Sequence, residues 1–313
     1  MSILKILSQK LFISENELFK YIKSAPHRYK KYTIPKRNGN GTRDIAQPSK
    51  ELKFIQKKAL QDLEVFKYLP IHESAMAYRK NISIKNNADA HKNSSYLLKM
   101  DFANFFPSIK PIDLIKHIEK QAQEVNLSAE DKQIISSLFF YRKRRTAPLI
   151  LSIGAPSSPF ISNTLMYDFD MRINAYCLDL DITYTRYADD LAFSTNTKNI
   201  LFDVPDFIQN NINEFQSPRL FINRNKTTFL SKNCNRHITG LVISNDGTTS
   251  IGRKKKRVIK SMIYNYSKGQ LSPREESYLR GYLSYCRGVD NNFLNTLQEK
   301  YGESYLNLIR NKD

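Results

Sequence analysis

Three cysteines in 313 residues, Cys177, Cys234 and Cys286, stand far apart and form no CxxC pair. That spacing excludes a disulfide framework and a zinc site of the usual kind, and it suits a reducing cytoplasm. No apolar run reaches the roughly 18 residues that a bilayer-spanning helix needs, and Lys5 and Lys10 interrupt the apolar N-terminus. Neither export nor a membrane anchor is expected. Acidic residues are scarce too: 30 Asp and Glu stand against 49 Lys and Arg, a formal charge of +19 and a pI of about 9.7. Internal repeats and long low-complexity linkers are also missing, so one large or two to three modest, closely packed domains are expected.

The scarcity is uneven. Residues 1–100 hold 20 basic and 8 acidic side chains, 101–250 hold 16 of each, and 251–313 hold 13 and 6. Two basic ends around a neutral middle are what an enzyme needs if it grips a polyanion and keeps carboxylates for a metal centre. A uniformly basic binding module has no reason to show the dip.

Ser14 and Glu17 read as a capping box opening a helix over 14–23, Ser128 with Asp131 as another, and Ser272-Pro273 with Glu275 as a third. Strand-like segments around Asn38-Gly39-Asn40-Gly41 predict a basic hairpin with Lys36 and Arg43 near its tip. Leu52, Ile55, Ala59, Leu63, Phe66 and Leu69 recur on one helical face, so the spacing predicts a helix over 50–69. The Gly154-Ala155-Pro156 turn, then Ser158 as cap and Pro159, predict one long helix to about Cys177, and a further helix is expected near 204–215. Beyond Ser250 the pattern turns helical, as a small separate unit. There Arg253 to Arg257, RKKKR, opens a helix with Val258, Ile259, Met262, Ile263 and Tyr266 on its other side. By composition this run, like Tyr141 to Arg145, is either a nucleic-acid contact or a solvated face.

Three carboxylates lie at ends of strand-like segments in the neutral middle: Asp101 after YLLKM, and Asp189-Asp190 between Ile182–Ala188 and Leu191–Thr195. Close carboxylates raise one another's pKa and cost stability unless a cation neutralises them. Hard oxygen ligands select Mg²⁺, and two such ions can clamp both oxygens of an in-line phosphoryl transfer. An isolated Asp-Asp would be a polar turn; its pairing with Asp101 and the aromatic residues beside both makes the joint pattern informative.

On these residues the chain resembles the reverse transcriptases. Tyr187-Ala188-Asp189-Asp190 resembles their YxDD box. In order along the chain, IPKRNGNGTRDI (Ile34 to Ile45) resembles the fingers motif, MDFANFFPSI (Met100 to Ile109) the first aspartate motif, and LSIGAPSSP (Leu151 to Pro159) the template grip. INRNKT with Lys226, and ITGLVI from Ile238 to Ile243, follow the box. Asn87-Ala88-Asp89-Ala90-His91 and Ile238-Thr239-Gly240 resemble the NAxxH and VTG motifs of the bacterial retron subclass. One departure stands out: Ser152-Ile153 occupies the place where the family usually has Pro-Gln, whose amide helps to hold the nucleotide.

The resemblance implies an α+β right-hand polymerase fold, with N-terminal helices and fingers in 1–95, palm with part of the fingers in 96–250, and a helical thumb in 251–313. It implies catalysis by Asp101, Asp189 and Asp190, which with the Phe102 carbonyl would bind two Mg²⁺ ions, Mn²⁺ being the alternative. Lys36 and Arg43 would grip the triphosphate of a dNTP, with Phe102, Ala103, Asn104, Gly154 and Lys226 around it. Phe106 matches the steric gate against a ribose 2′-hydroxyl, although core packing is an equal reading of an apolar ring there. Asn87, His91, Ile238, Thr239, Gly240 and Arg253, Lys254, Lys255, Lys256 and Arg257 would contact RNA. A retron enzyme would copy its own structured non-coding RNA from a guanosine 2′-hydroxyl into branched RNA-linked single-stranded DNA (msDNA), beside an effector or toxin in anti-phage defence. An intron-type or diversity-generating reverse transcriptase, or an RNA scaffold with a dead site, are the alternatives.

Overall fold

The computed structural model describes residues 2–310 except 37, 38, 40 and 216, and only the backbone at 303, 304, 306, 307, 309 and 310. The tip residues Asn38 and Asn40 of the expected turn therefore lie outside the described residues. The architecture is α+β, and every pair of strands is antiparallel.

Two short helices, Ile3–Leu11 and Glu15–Ser24, begin at serine caps; Ser2 accepts from Lys5 N–H and Ser14 from Glu17 N–H. Asp131, capped with Ser128, also accepts from Ile3 N–H at 2.7 Å, which ties the N-terminus to the helix Ala129–Phe139. Strands β1 (Tyr29–Pro35) and β2 (Thr42–Pro48) form the basic hairpin, anchored at Tyr29 and Ala46 and exposed towards its tip. The next helix covers only Lys50–Asp62, because Leu63 turns extended and a single 3₁₀ turn, Glu64–Phe66, carries the remaining apolar residues inward. Similarly, the expected long helix after the grip turn is two, Ser158–Leu165 and Tyr167–Asp179, with Met166 leaving helical geometry (ψ 3°) between them. Apolar residues run on across this break, so periodicity gives no sign of it.

Strands β3 (Tyr96–Asp101), β4 (Phe140–Arg142), β5 (Leu149–Leu151), β6 (Thr183–Tyr187), β7 (Asp190–Thr195) and β8 (Thr228–Ser231) follow. The central sheet has the order β6-β7-β3-β8. Its register sets Asp101 opposite Asp190, and Tyr187 opposite Asp190, so Ala188-Asp189 is a two-residue turn. Ala188 takes φ 58° there, a left-handed conformation that costs a non-glycine residue about 1–2 kcal/mol.

Below the turn lies a fully buried ion pair. Arg186 grips Asp170 with two hydrogen bonds, Nε to Oδ1 at 2.8 Å and Nη2 to Oδ2 at 2.6 Å, and Tyr184 donates its hydroxyl to the same carboxylate at 2.8 Å. The other guanidinium nitrogen donates to the Ala188 carbonyl at 3.1 Å and to Asn163 Oδ1 at 3.3 Å.

A second small sheet joins β9 (His237–Ile238), β10 (Leu241–Ile243) and β11 (Thr249–Ser250). Thr239 (φ 47°) and Gly240 (φ 84°) make the β9–β10 turn, both left-handed, as a two-residue primed turn demands. The C-terminal helices Arg253–Ser267, Pro273–Val289 and Asn291–Arg310, the last broken at Gly302, share one apolar core with this sheet and with Ala88, Leu97 and Ala192 behind the central sheet. Ile259 and Ile263 enter that core, whereas Val258, expected on the same side, is 52% exposed.

Removing one partner from a buried pair leaves an uncompensated charge, which typically costs about 3–5 kcal/mol. Asp170→Asn should therefore lower the stability of the whole fold by that order, read as the midpoint of urea unfolding; an unchanged midpoint would show the pair to be dispensable.

Candidate active site

The strand ends and the tight turn between β6 and β7 bring the three aspartates together, Asp101 and Asp190 as paired strand residues and Asp189 in the turn. Phe102 N–H donates to the Asp189 carbonyl at 3.0 Å, and Asn223 N–H to the Asp101 carbonyl at 2.7 Å, so both sides of β3 are bound where it ends. Asn104 (φ 50°) then turns the chain into the short helix Phe105–Ser108. The Phe102 ring is buried and stacks on Phe105 at 5.6 Å, so its backbone is what this residue offers the site. Ala103 N–H is taken by the Phe221 carbonyl at 2.8 Å.

The electrostatics are those of crowded carboxylates. Burial, then the charges of Asp189 and Asp101, push the Asp190 carboxyl up to about 6. Burial and the charge of Asp101 also raise Asp189, against Lys226 and Arg43 acting the other way. Lys226 Nζ lies 2.7 Å from Asp101 Oδ1 and serves as its counter-cation. Lys99, one turn of the pleat before Asp101, is half-buried, and burial lowers its pKa in spite of the aspartates. Sequence reading missed Lys99, although two-residue periodicity puts it on the Asp101 face of β3.

Among the described residues no group of three or more His, Cys, Asp or Glu side chains closes on one point. The donors are nevertheless all hard oxygens, and the Asp189 and Asp190 carboxyls are held above the usual carboxylate range, which fits a divalent ion that takes its remaining ligands from water and phosphate.

A cavity of about 440 Å³ has a wall that includes Phe106, Ile153, Gly154, Lys53, Lys57 and Tyr78, the last within reach of the Asp189 charge. Phe106 is half-buried, edge-on to Phe105 at 5.4 Å, with part of the ring left to the cavity. Gly154 has φ 125°, and a Cβ there would come within 3.1 Å of the Ala46 carbonyl; Ala46 N–H in turn donates to Ile153 O at 2.9 Å. The grip turn is thus docked on β2, the strand that carries Arg43. Arg43 is exposed, and its charge acts on both Asp189 and Tyr78. Lys36, also exposed, closes the hairpin by donating its N–H to Gly41 O at 3.0 Å. Tyr78, Lys53 and Lys57 were not singled out by sequence; the lysines, four apart on one helix, carried a signal in that spacing.

The expected RNA contacts divide in two. Asn87 and His91 are each 1% exposed and Ile238 is 3% exposed, which corrects their expected role as direct RNA ligands. His91 places Nε2 2.7 Å from Thr185 Oγ1 and Nδ1 2.7 Å from Ser194 Oγ, while Thr185 donates to Asn87 Oδ1 at 2.7 Å. These residues brace the back of the β6–β7 hairpin, and burial pushes the His91 pKa down to about 3, so the ring stays neutral. Thr239 Oγ1 donates to the Ile84 carbonyl at 3.1 Å, fastening the β9–β10 turn to the short helix Ile84–Asp89. Gly240, Arg253, Lys254, Lys255 and Arg257 remain exposed, with Lys255 Nζ 3.2 Å from Gly240 O. Lys256 points inward to Asp290 at 2.8 Å and over the Phe293 ring at 5.1 Å, so it anchors the helix and leaves the basic face to its neighbours.

Residues 34–262 match the family described as reverse transcriptase (RNA-dependent DNA polymerase). The retron Ec83 reverse transcriptase of Escherichia coli is 39% identical over 292 residues, 92% of either chain. The retron Ec73 enzyme of the same species is 33% identical over 88% of either chain, and the retron Ec86 enzyme is 31% identical over 96% of this chain and 91% of that one. Among solved structures, a Candida albicans telomerase aligns over 94% of this chain and 59% of its own with 13% identity and a TM-score of 0.49. Similarity that runs nearly end to end with retron enzymes, and a polymerase segment that spans the aspartates, cavity and hairpin alike, mean that this chain belongs to the retron reverse transcriptases, RNA-directed DNA polymerases of right-hand α+β fold.

Proposed function

We propose that the enzyme copies part of a cognate structured non-coding RNA, begins from a guanosine 2′-hydroxyl, and leaves a branched msDNA product. In this reading it acts in the bacterial cytoplasm, in anti-phage defence, with an accessory effector or toxin. The observation that carries the reading is the register of Asp101 against Asp190, near a cavity lined by Lys53, Lys57 and the Tyr78 ring that feels the Asp189 charge, in a chain similar over nearly its whole length to retron enzymes.

Asp101, Asp189, Asp190 and the Phe102 carbonyl would hold two Mg²⁺ ions, with Mn²⁺ able to replace them. Bound there, such ions make the attacking hydroxyl more acidic and neutralise charge on the phosphates. Lys36 and Arg43 meet the triphosphate from the hairpin with charge-assisted hydrogen bonds. Phe106, on the cavity wall, would exclude a ribose 2′-hydroxyl, and Gly154 offers close backbone approach where the Ile153 side chain has no amide to give. Lys226, 2.7 Å from Asp101, offsets part of the negative charge of the site before the nucleotide arrives. The fingers, palm and thumb divide at about 95 and 250, and the exposed Arg253, Lys254, Lys255 and Arg257, with the Gly240 turn beside them, face the RNA.

Purified enzyme should carry a branched RNA–DNA species, identified by sequencing the nucleic acid that comes with it. Asp189→Asn with Asp190→Asn should abolish its DNA part and leave RNA binding intact; undiminished DNA synthesis by this variant would sink the metal assignment. Replacing Arg253, Lys254, Lys255 and Arg257 by Gln should weaken RNA binding and flatten the log–log salt dependence by about 0.7–0.9 per lost phosphate contact. Lys256→Gln should instead cost thermal stability.

Asp190 supplies a pH test. Its carboxyl is raised from 3.8 to about 6 in the fold, so the metal-free folded state binds more protons than the unfolded chain between those values and loses stability as pH rises through them. Asp190→Asn should therefore stabilise the metal-free protein above pH 6, by about 1–3 kcal/mol, and give no gain below 3.8. A melting-temperature difference that is flat with pH would contradict this.

A further inference from the structure

Residues 72–79, HESAMAYR, cross beneath the catalytic hairpin with their backbone fixed at several points. Arg186 N–H donates to Ser74 O at 2.7 Å, Met76 N–H returns a bond to Arg186 O at 2.8 Å, and Asn163 Nδ2 donates to Ala77 O at 2.8 Å. Arg79 turns its guanidinium back onto the same segment, with Nη1 3.0 Å from Glu73 O and 3.4 Å from Ala75 O. Ala75 and Ala77 are wholly buried.

The residue so presented is Tyr78, at φ 60° and 55% exposed. A bulky side chain avoids the left-handed region, and one held there by an over-determined backbone marks a place where position matters more than local comfort. The Tyr78 ring lies 6.4 Å from the Tyr187 ring, tilted by 36°, and its other flank lines the cavity shared by Phe106 and Gly154. It therefore spans the junction between the nucleotide cavity and the hairpin that carries Asp189.

We propose that Tyr78 is a positioning residue for the nascent base pair: its ring is the fixed wall against which the base of the incoming nucleotide and its template partner are packed. This rests on the polymerase reading above. The same rigidity makes the wall selective, since a mispair of different width cannot push it back while Asn163 and Arg186 hold the segment.

The test is single-nucleotide incorporation on a DNA primer annealed to an RNA template, with matched and mismatched dNTPs, for Tyr78→Gly, Tyr78→Ala and Tyr78→Phe. Base–aromatic packing of this kind is worth about tenfold or more in affinity. Tyr78→Gly and Tyr78→Ala should raise KM for the matched dNTP by that factor with kcat little changed, and should raise the ratio of mismatched to matched insertion. Tyr78→Phe should behave as wild type. Glycine is at ease at this φ, so Tyr78→Gly should melt no lower than wild type, which separates the effect from unfolding. An unchanged KM and mismatch ratio in Tyr78→Gly overturns the proposal, as does a Tyr78→Phe variant as defective as Tyr78→Gly, which would assign the effect to the hydroxyl. If wild-type enzyme extends no primer on any RNA, the polymerase reading falls first and this role falls with it.

Discussion

The buried pair of Arg186 and Asp170 is the constraint on which the catalytic end of the molecule depends. Two ions without solvent are unfavourable unless further hydrogen bonds meet most of their lone pairs and protons, and here they do: Asp170 takes two bonds from Arg186 and one from Tyr184, while another guanidinium nitrogen reaches Ala188 O and Asn163. One charge pair thus fixes the helix Tyr167–Asp179, strand β6 and the turn that displays Asp189. It also explains how Ala188 keeps a left-handed backbone, since its carbonyl is held from below.

Two groups of carboxylates in this chain therefore have opposite fates. Asp170 is neutralised inside the fold and contributes to holding it together. Asp101, Asp189 and Asp190 are crowded against one another, with Lys226 in contact with Asp101, and the raised pKa values of Asp189 and Asp190 mean that the fold is less stable for their charges at neutral pH. A site that must accept cations and phosphates has to leave its charges unsatisfied beforehand; activity and stability compete at the same residues. The rigid pair below is what allows the strained pair above.

The sequence made some of this legible and hid the rest for identifiable reasons. Capping at Ser14, Ser128 and Ser272 was readable because a cap is a local bond between residues three apart. The strand-end aspartates were readable because a charge at the end of an apolar run has few structural uses. The break at Met166 was not, because both halves are apolar on the same period. Asn87 and His91 read as surface ligands because polar residues in a short segment usually face water, and only the tertiary fold supplies Thr185 and Ser194 as partners about a hundred positions away. Arg186 had one sign: it shares a strand face with Tyr184, an inward phase where a cation needs a buried carboxylate. In the same way Lys256 is indistinguishable from its neighbours until Asp290 and Phe293 arrive beneath it.

Correcting the role of the Asn87–His91 segment changes how the two ends of the enzyme are related. Lys255 holds Gly240, Thr239 holds Ile84, Thr249 and Lys85 both bind Asp89, and His91 with Asn87 clasps Thr185 and Ser194 of the catalytic hairpin. A continuous series of side-chain bonds and one helix of under two turns therefore joins the exposed basic edge to the strands bearing Asp189 and Asp190. Because each link is a packed or hydrogen-bonded contact, RNA seated on that edge would be held at a set distance and angle from the aspartates. Buried residues such as Asn87 and His91 would then act on a template through the frame they fix between that edge and the aspartates.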